Sequence, residues 1–369
     1  MELHTSARAL TQGVVVAVAV AGCHSAPRTA VIGYAYTYHL KPAIAVAAEE
    51  IAAQPAGRGA RIVIVPDSGR TGDPADVEVQ RAEHMAAIPG IVAVVGHSGS
   101  RASLAAAPIY NDARIVQVTP NSTSRLLEHA GPWTFDLAPD DSVEGAFIGG
   151  FLADRLHALR VTVFYENDEY GTGLRDGVLA ALTPRGVVVL DRVPIDLTSD
   201  FPTLVEASLK LGVPDAFVVA GRQRETGTIA RLLRERGIRR PVVAGDGSLV
   251  LPDLARLAGP AADSLYVVAF WLPDAPDSLS RVFVERYRRL TGEVPQSADA
   301  LSHDALMLVV AAIREVGPDP AAVRSWLGGL GVVRPPFEGV TGPIAFATLA
   351  RPRLLMTRLE GGVPRRVAP

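Results

Sequence analysis

The chain has 369 residues, enough for two domains of ordinary size, and 48% of them are hydrophobic against 20% charged. That balance excludes a disordered chain, and a formal net charge of −3 offers no clustered basic face for nucleic acid. With a single cysteine no intramolecular disulfide can form, so stability has to come from packing.

The cysteine is Cys23, and it follows an apolar stretch from Gly13 to Val20 and the small residues Ala21 and Gly22. The apolar run is shorter than the roughly 20 residues a spanning helix needs. It suits the core of a signal peptide, although the leader is only weakly basic, with Arg8 and the amino terminus set against Glu2. Small residues directly before a cysteine resemble the lipobox of bacterial lipoproteins. Residues 1–22 therefore read as a leader that is removed, and Cys23 as the lipidation site of an exported, membrane-tethered protein. The competing reading is a buried free cysteine. No later stretch is long and apolar enough to cross a bilayer.

Beyond the leader, short β-branched runs alternate with amphipathic segments. Ala30–Gly33, Arg61–Pro66, Ile91–Gly96 and Ile115–Thr119 read as buried strands, and Pro42–Ala53, Asp76–Ile88 and Arg101–Asn111 as the helices between them. Asp140-Asp141-Ser142 offers cap oxygens for a helix to about His157. A second alternating unit follows, with strands Val161–Tyr165, Val187–Ile195, Ala216–Ala220 and Val242–Gly245 and helices Gly171–Leu182, Phe201–Leu211 and Thr226–Arg236. The pattern predicts α/β structure with parallel sheets covered by helices on both faces. Helices Leu279–Leu290, Ala298–Val316 and Pro320–Leu327 come last. The first unit is short of helical cover, so these late helices are expected to return to it, giving two lobes joined by more than one crossing of the chain.

Five segments, in order, resemble the branched-chain amino-acid-binding (Leu/Ile/Val-binding) family of periplasmic solute-binding proteins. They are Val94–Ser100, Val118–Thr123, Phe164–Leu174, Gly245-Asp246-Gly247 and Phe337–Ile344, and together they reach across most of residues 30 to 360. The resemblance implies a type I periplasmic binding protein: two doubly wound, Rossmann-like lobes, a three-crossing hinge and a ligand in the cleft. On that pattern lobe 1 is 30–137 plus 271–343 and lobe 2 is 138–270 plus 344–367. Crossings are expected near Phe135–Ala138, Ala269–Pro273 and Thr341–Phe346. The implied role is binding, not catalysis: a monomer that delivers an amino acid to an ABC permease, without a cofactor. A sensor of the same fold, or a binder of another carboxylate, is the alternative.

The residues at these motifs have suitable chemistry. Gly96–Ser100 joins a strand to a helix start, where backbone N–H groups favour an anion. The resemblance assigns Ser100 and the segment Asn121, Ser122 and Thr123 to the ligand's α-carboxylate. It assigns Asp246 to the ammonium group, as a charge-assisted partner, and Tyr170 to the border of the ligand. The loop after the first strand is shorter than is usual in the family, and a tyrosine among Tyr34, Tyr36 and Tyr38 is expected to supply its cover, with Tyr36 the candidate. Arg222 stands where amino-acid binders often place a tyrosine; a guanidinium there would favour a second anionic group on the ligand, and a solvent-exposed loop arginine is the other reading. Gly96-His97-Ser98-Gly99-Ser100 departs from the Gly-x-Ser-x-Gly of esterases at its last position. The histidines, among them His84, His97, His129 and His157, show no metal-ligand spacing.

Overall fold

The computed structural model describes residues 29–37, 41–54, 60–69, 74–348 and 350–368. Residues 1–28, Cys23 among them, and Tyr38 lie outside the described residues, and with them the expected leader and lipidation site. The first sheet is parallel, in the order β2 (Arg61–Gly69), β1 (Thr29–Thr37), β3 (Ile91–Val95), β4 (Val116–Thr119) and β5 (Thr134–Asp136). The second has seven strands. Its parallel part runs β10 (Leu265–Ala269), β9 (Val242–Ala244), β8 (Ala216–Ala220), β6 (Arg160–Glu166) and β7 (Val188–Ile195). β13 (Leu355–Glu360) and β14 (Val363–Arg366) add to β10 as an antiparallel edge. β3 and β8 are near-continuous apolar runs, buried from Val92 to Val95 and from Ala216 to Ala220, as strands covered on both faces must be.

The first sheet carries α1 (Lys41–Ala53), α2 (Ala75–Ala86) and α3 (Ser100–Ala113). The second carries α4 (Asp141–Gly150), α5 (Glu169–Leu182), α6 (Phe201–Leu209), α7 (Gln223–Glu235) and α8 (Asp253–Ala258). The late helices α9 (Ser278–Thr291), α10 (Ser297–Val316) and α11 (Pro320–Gly328) return to the first sheet: α9 and α10 lie on α1, and α10 and α11 on β3 and β4. α10 is the central piece, with thirteen buried residues among its twenty. Its buried Asp304 accepts hydrogen bonds from the backbone of Val340 and Thr341, both at 2.8 Å, which fixes the hairpin β11 (Phe337–Gly339) and β12 (Gly342–Ile344) on the helix.

The chain passes between the sheets three times, after β5, after β10 and after β12. Element bounds agree with the sequence reading to within a few residues, with two changes. β1 extends four residues beyond Gly33, and the helix expected to reach His157 gives way at Phe151 to a wider turn ending at Arg155.

Candidate ligand-binding site

In open parallel sheets ligands bind beyond the carboxyl ends of the strands. Here loops after β3 and β4 of one sheet face loops after β8 and β9 of the other. Gly96, which follows β3, has φ 135°, and a Cβ there would lie 2.2 Å from the Ala35 carbonyl oxygen, so the position requires glycine. The next residue, His97, is buried between the Glu78 carboxylate at 2.7 Å and the Tyr110 hydroxyl at 2.9 Å, which pins the loop. Ser98 and Gly99 are thereby presented to a cavity of about 100 Å³ that Asn121, Arg222 and Asp246 also line. Leu249, Phe270 and Leu301 form its apolar wall. Leu249 and Ser297 are shared with a larger chamber of about 430 Å³ walled by Leu251, Trp271, Leu272 and Val294.

The structure brings Asn121, Arg222 and Asp246 together in this cavity, with the other expected residues placed around it. The Ser100 hydroxyl is buried and accepts the backbone N–H groups of Thr123 at 3.3 Å and Ser124 at 3.2 Å, joining the loops after β3 and β4. Ser122 pairs with Ser103 at 2.7 Å, inside the first lobe. The Thr123 hydroxyl is buried beside the Asp141 carboxyl. Tyr170 stands behind Asp246, donating to its Oδ1 at 3.0 Å and accepting from Gly247 N–H at 3.0 Å. Tyr36 packs in the core against Tyr34, with ring centroids 5.2 Å apart, and is not among the residues lining the cavity.

The glycines on either side of Asp246 leave space for the side chains packed behind it, and Gly247 also lines the cavity. A Cβ at 245 would come 2.7 Å from the Tyr170 hydroxyl, and one at 247 would come 2.9 Å from its ring. They make room for the tyrosine that holds Asp246. Arg222 is neither a surface arginine nor a free one: it pairs with Glu166 and, at 2.9 Å, with Asp168, and its guanidinium lies 5.2 Å from the Tyr170 ring centre. Two carboxylates therefore balance its charge.

Sequence reasoning missed Glu144 and Gln296. Glu144 is fully buried, and its Oε1 accepts the Asp246 N–H at 2.8 Å. The available signal was an acidic pair three residues apart, Asp141 and Glu144, on one face of an otherwise apolar helix. Gln296 precedes α10 and bonds the backbone of Leu251 twice, at 2.8 and 3.0 Å. On the other flank Arg101 of α3 donates to Glu169 of α5 at 3.0 Å. These contacts hold the two halves of the cleft against each other. The arrangement can bind a small ligand at two unlike ends, with N–H and hydroxyl donors on one side and carboxylates on the other. Among the described residues no group of histidine, cysteine or carboxylate side chains could hold a metal ion.

The model of the family described as periplasmic binding protein matches residues 7–352. The chain belongs to that family. It is 29% identical to an amino acid binding protein of Pseudomonas aeruginosa over 64% of this chain and 63% of that relative's length. It is 25% identical to Leu/Ile/Val-binding protein homolog 1 of Brucella suis, over 73% of this chain and 71% of the relative. Its fold matches the crystal structure of a leucine binding protein, LivK, from Thermotoga maritima, with a TM-score of 0.84 at 24% identity over 92% of this chain and 98% of that one. As a member of the periplasmic binding protein family with the type I fold, it is a solute-binding protein and not an enzyme.

Proposed function

We propose that this protein is the extracytoplasmic solute-binding component of an ABC importer, taking an amino acid of branched-chain type or a close relative. The observation that carries the reading is the pairing of unlike ends in one cavity. Asp246, at the carboxyl end of β9, faces Ser98, Gly99 and Asn121 beyond β3 and β4. A carboxylate bound on the donor side and an ammonium on Asp246 would bridge the two lobes, and a ligand that contacts both lobes stabilises their closed arrangement. Arg222, already balanced by Glu166 and Asp168, has no charge left for a second anionic group, which favours a neutral side chain. That side chain would meet Leu249, Phe270 and Leu301 and extend toward the neighbouring apolar chamber.

In this reading lobe 1 is 30–137 plus 271–343 and lobe 2 is 138–270 plus 344–367. The working form is a monomer that docks on its permease, tethered through Cys23 after loss of residues 1–22. Calorimetric titration with L-leucine, L-isoleucine and L-valine, beside 4-methylpentanoate, tests the ligand class. Saturable binding of at least one amino acid, with clear preference over the acid that lacks the amine, is expected. Equal binding of 4-methylpentanoate would replace the amino-acid reading with that of a carboxylate binder.

A further inference from the structure

Asp246 is not a lone carboxyl group. Behind it on α4 lie Glu144, with no solvent exposure, and Asp141 at 1%. Glu144 accepts the Asp246 N–H at Oε1 and its carboxyl also lies beside the Asp246 carboxyl, while Asp141 has the Thr123 hydroxyl as its neighbour, and among the described residues no cation pairs with either buried group. The groups facing them come from every neighbouring element. Tyr170 of α5 donates to Asp246, Asp168 and Asp140 add negative charge, and Arg222 is the facing cation, already held by Glu166 and Asp168. Carboxylates removed from water without a countercharge take up a proton rather than bear the desolvation cost. Burial pushes Glu144 and Asp246 above the usual carboxylate range, with the nearby Asp246 charge adding to the effect on Glu144, and burial pushes Asp141 up to about 8.

We propose that Glu144 and Asp246 share one proton in the ligand-free protein and that the ligand's ammonium displaces it, making Glu144 the second carboxylate of the ammonium subsite. This rests on the amino-acid reading of the cleft. The carboxyl O–H bond breaks, its proton passes to buffer, and the ammonium keeps all three of its own. The pair carries one negative charge with its proton. Without it the pair carries two, against one positive charge on the ligand. The net charge at the ammonium end of the cleft is the same before and after, so the ligand's ammonium is met by an added carboxylate charge of opposite sign in a poorly solvated place.

Titration of the full chain with L-leucine in phosphate and in Tris, buffers of unlike ionisation enthalpy, reads the proton directly. Release approaching one proton per leucine is expected near neutral pH, with Kd tightening up to about tenfold per pH unit. Glu144→Gln keeps the shape and an acceptor for the Asp246 N–H; it should bring release close to zero and flatten the pH dependence of Kd. A wild-type binding enthalpy independent of buffer, or undiminished release from Glu144→Gln, overturns the displacement. Infrared spectra of the ligand-free protein supply a test that needs no ligand. Asp141, raised to about 8, gives a protonated-carboxyl band of its own at neutral pH, so the spectra are compared in the Asp141→Asn background; a remaining band that Glu144→Gln removes is expected, and its absence from that background overturns the shared proton. If that band is present but leucine, isoleucine and valine all fail to bind, the amino-acid reading falls and the displacement with it, while the shared proton stands.

Discussion

Asp246→Asn separates the two roles of this side chain, because affinity and stability should move in opposite directions. The amide keeps the carboxylate's shape, and its oxygen can still accept the Tyr170 hydroxyl that lies 3.0 Å from Asp246 Oδ1. What it loses is the charge presented to the cavity. A hydrogen bond to a charged group contributes about 1.5–3 kcal/mol net, so an amine-bearing ligand should bind roughly 10- to 150-fold more weakly, and 4-methylpentanoate hardly less well than before. Stability follows the other sign. Burial raises the pKa of Asp246 in the folded protein, so its contribution is fully present below the unfolded carboxyl value of about 4 and is lost as pH rises through the folded value. The asparagine variant should therefore match the wild type near pH 4 and exceed its Tm near pH 8. Titration calorimetry and scanning calorimetry measure the two halves. Unchanged amino-acid affinity would show that Asp246 serves only its own turn, and a lower Tm at pH 8 would refute the electrostatic account.

Asp141→Asn tests the same physics on α4, one helical turn from Glu144. Burial raises this carboxyl to about 8, so the variant's Tm advantage should appear above pH 4 and grow until about pH 8; a constant offset across that range would contradict it. Arg101→Ala removes the ion pair with Glu169, whose two side chains are about a third exposed or more, and a longer one at 3.8 Å to Asp168, which Arg222 already holds at 2.9 Å. Such a pair contributes at most about 1 kcal/mol; ligand affinity should fall by no more than about fivefold, and high salt should erase the difference in calorimetry. Cys23→Ser should abolish incorporation of labelled fatty acid and release an otherwise folded protein from membranes, since stable tethering takes more than one acyl chain. A wild-type protein that takes up no label would remove the anchor from the reading.

Most of the parallel core was legible because strands covered on both faces tend toward continuous apolar runs, although β10 (Leu265–Ala269), which carries such a run, was not read as a strand. Val92–Val95 and Ala216–Ala220 carry that pattern without interruption. β5 was not legible as a strand: Thr134–Asp136 is three half-buried residues, defined by pairing with β4 rather than by any pattern of its own. β13 and β14 were missed for a related reason, since an antiparallel edge mixes Arg358, Glu360, Arg365 and Arg366 with apolar residues. At the site, the loops after β3, β4, β8 and β9 could be found because strand ends are local features. The partners of their side chains could not. Nothing near Arg222 in the sequence announces Glu166 and Asp168, which lie 56 and 54 residues away. Glu144 is 102 residues from the Asp246 backbone that it accepts.

The return of α9, α10 and α11 to the first sheet also sets an order of assembly. The parallel strands of the second sheet all come from one uninterrupted stretch, 160–269, and can find each other over short separations. The first sheet is made earliest, yet one of its faces has only α1 for cover until residues near 328 arrive. Contacts between α1 and α10 close a loop of more than 240 residues, and closures of that span form late. The amino-terminal half therefore waits, its apolar face only partly covered, for the carboxyl-terminal third of the same chain. A nascent or truncated chain ending near 270 would hold a nearly complete second lobe beside a first lobe with an open flank, the kind of exposed surface that chaperones bind and that aggregates when they do not.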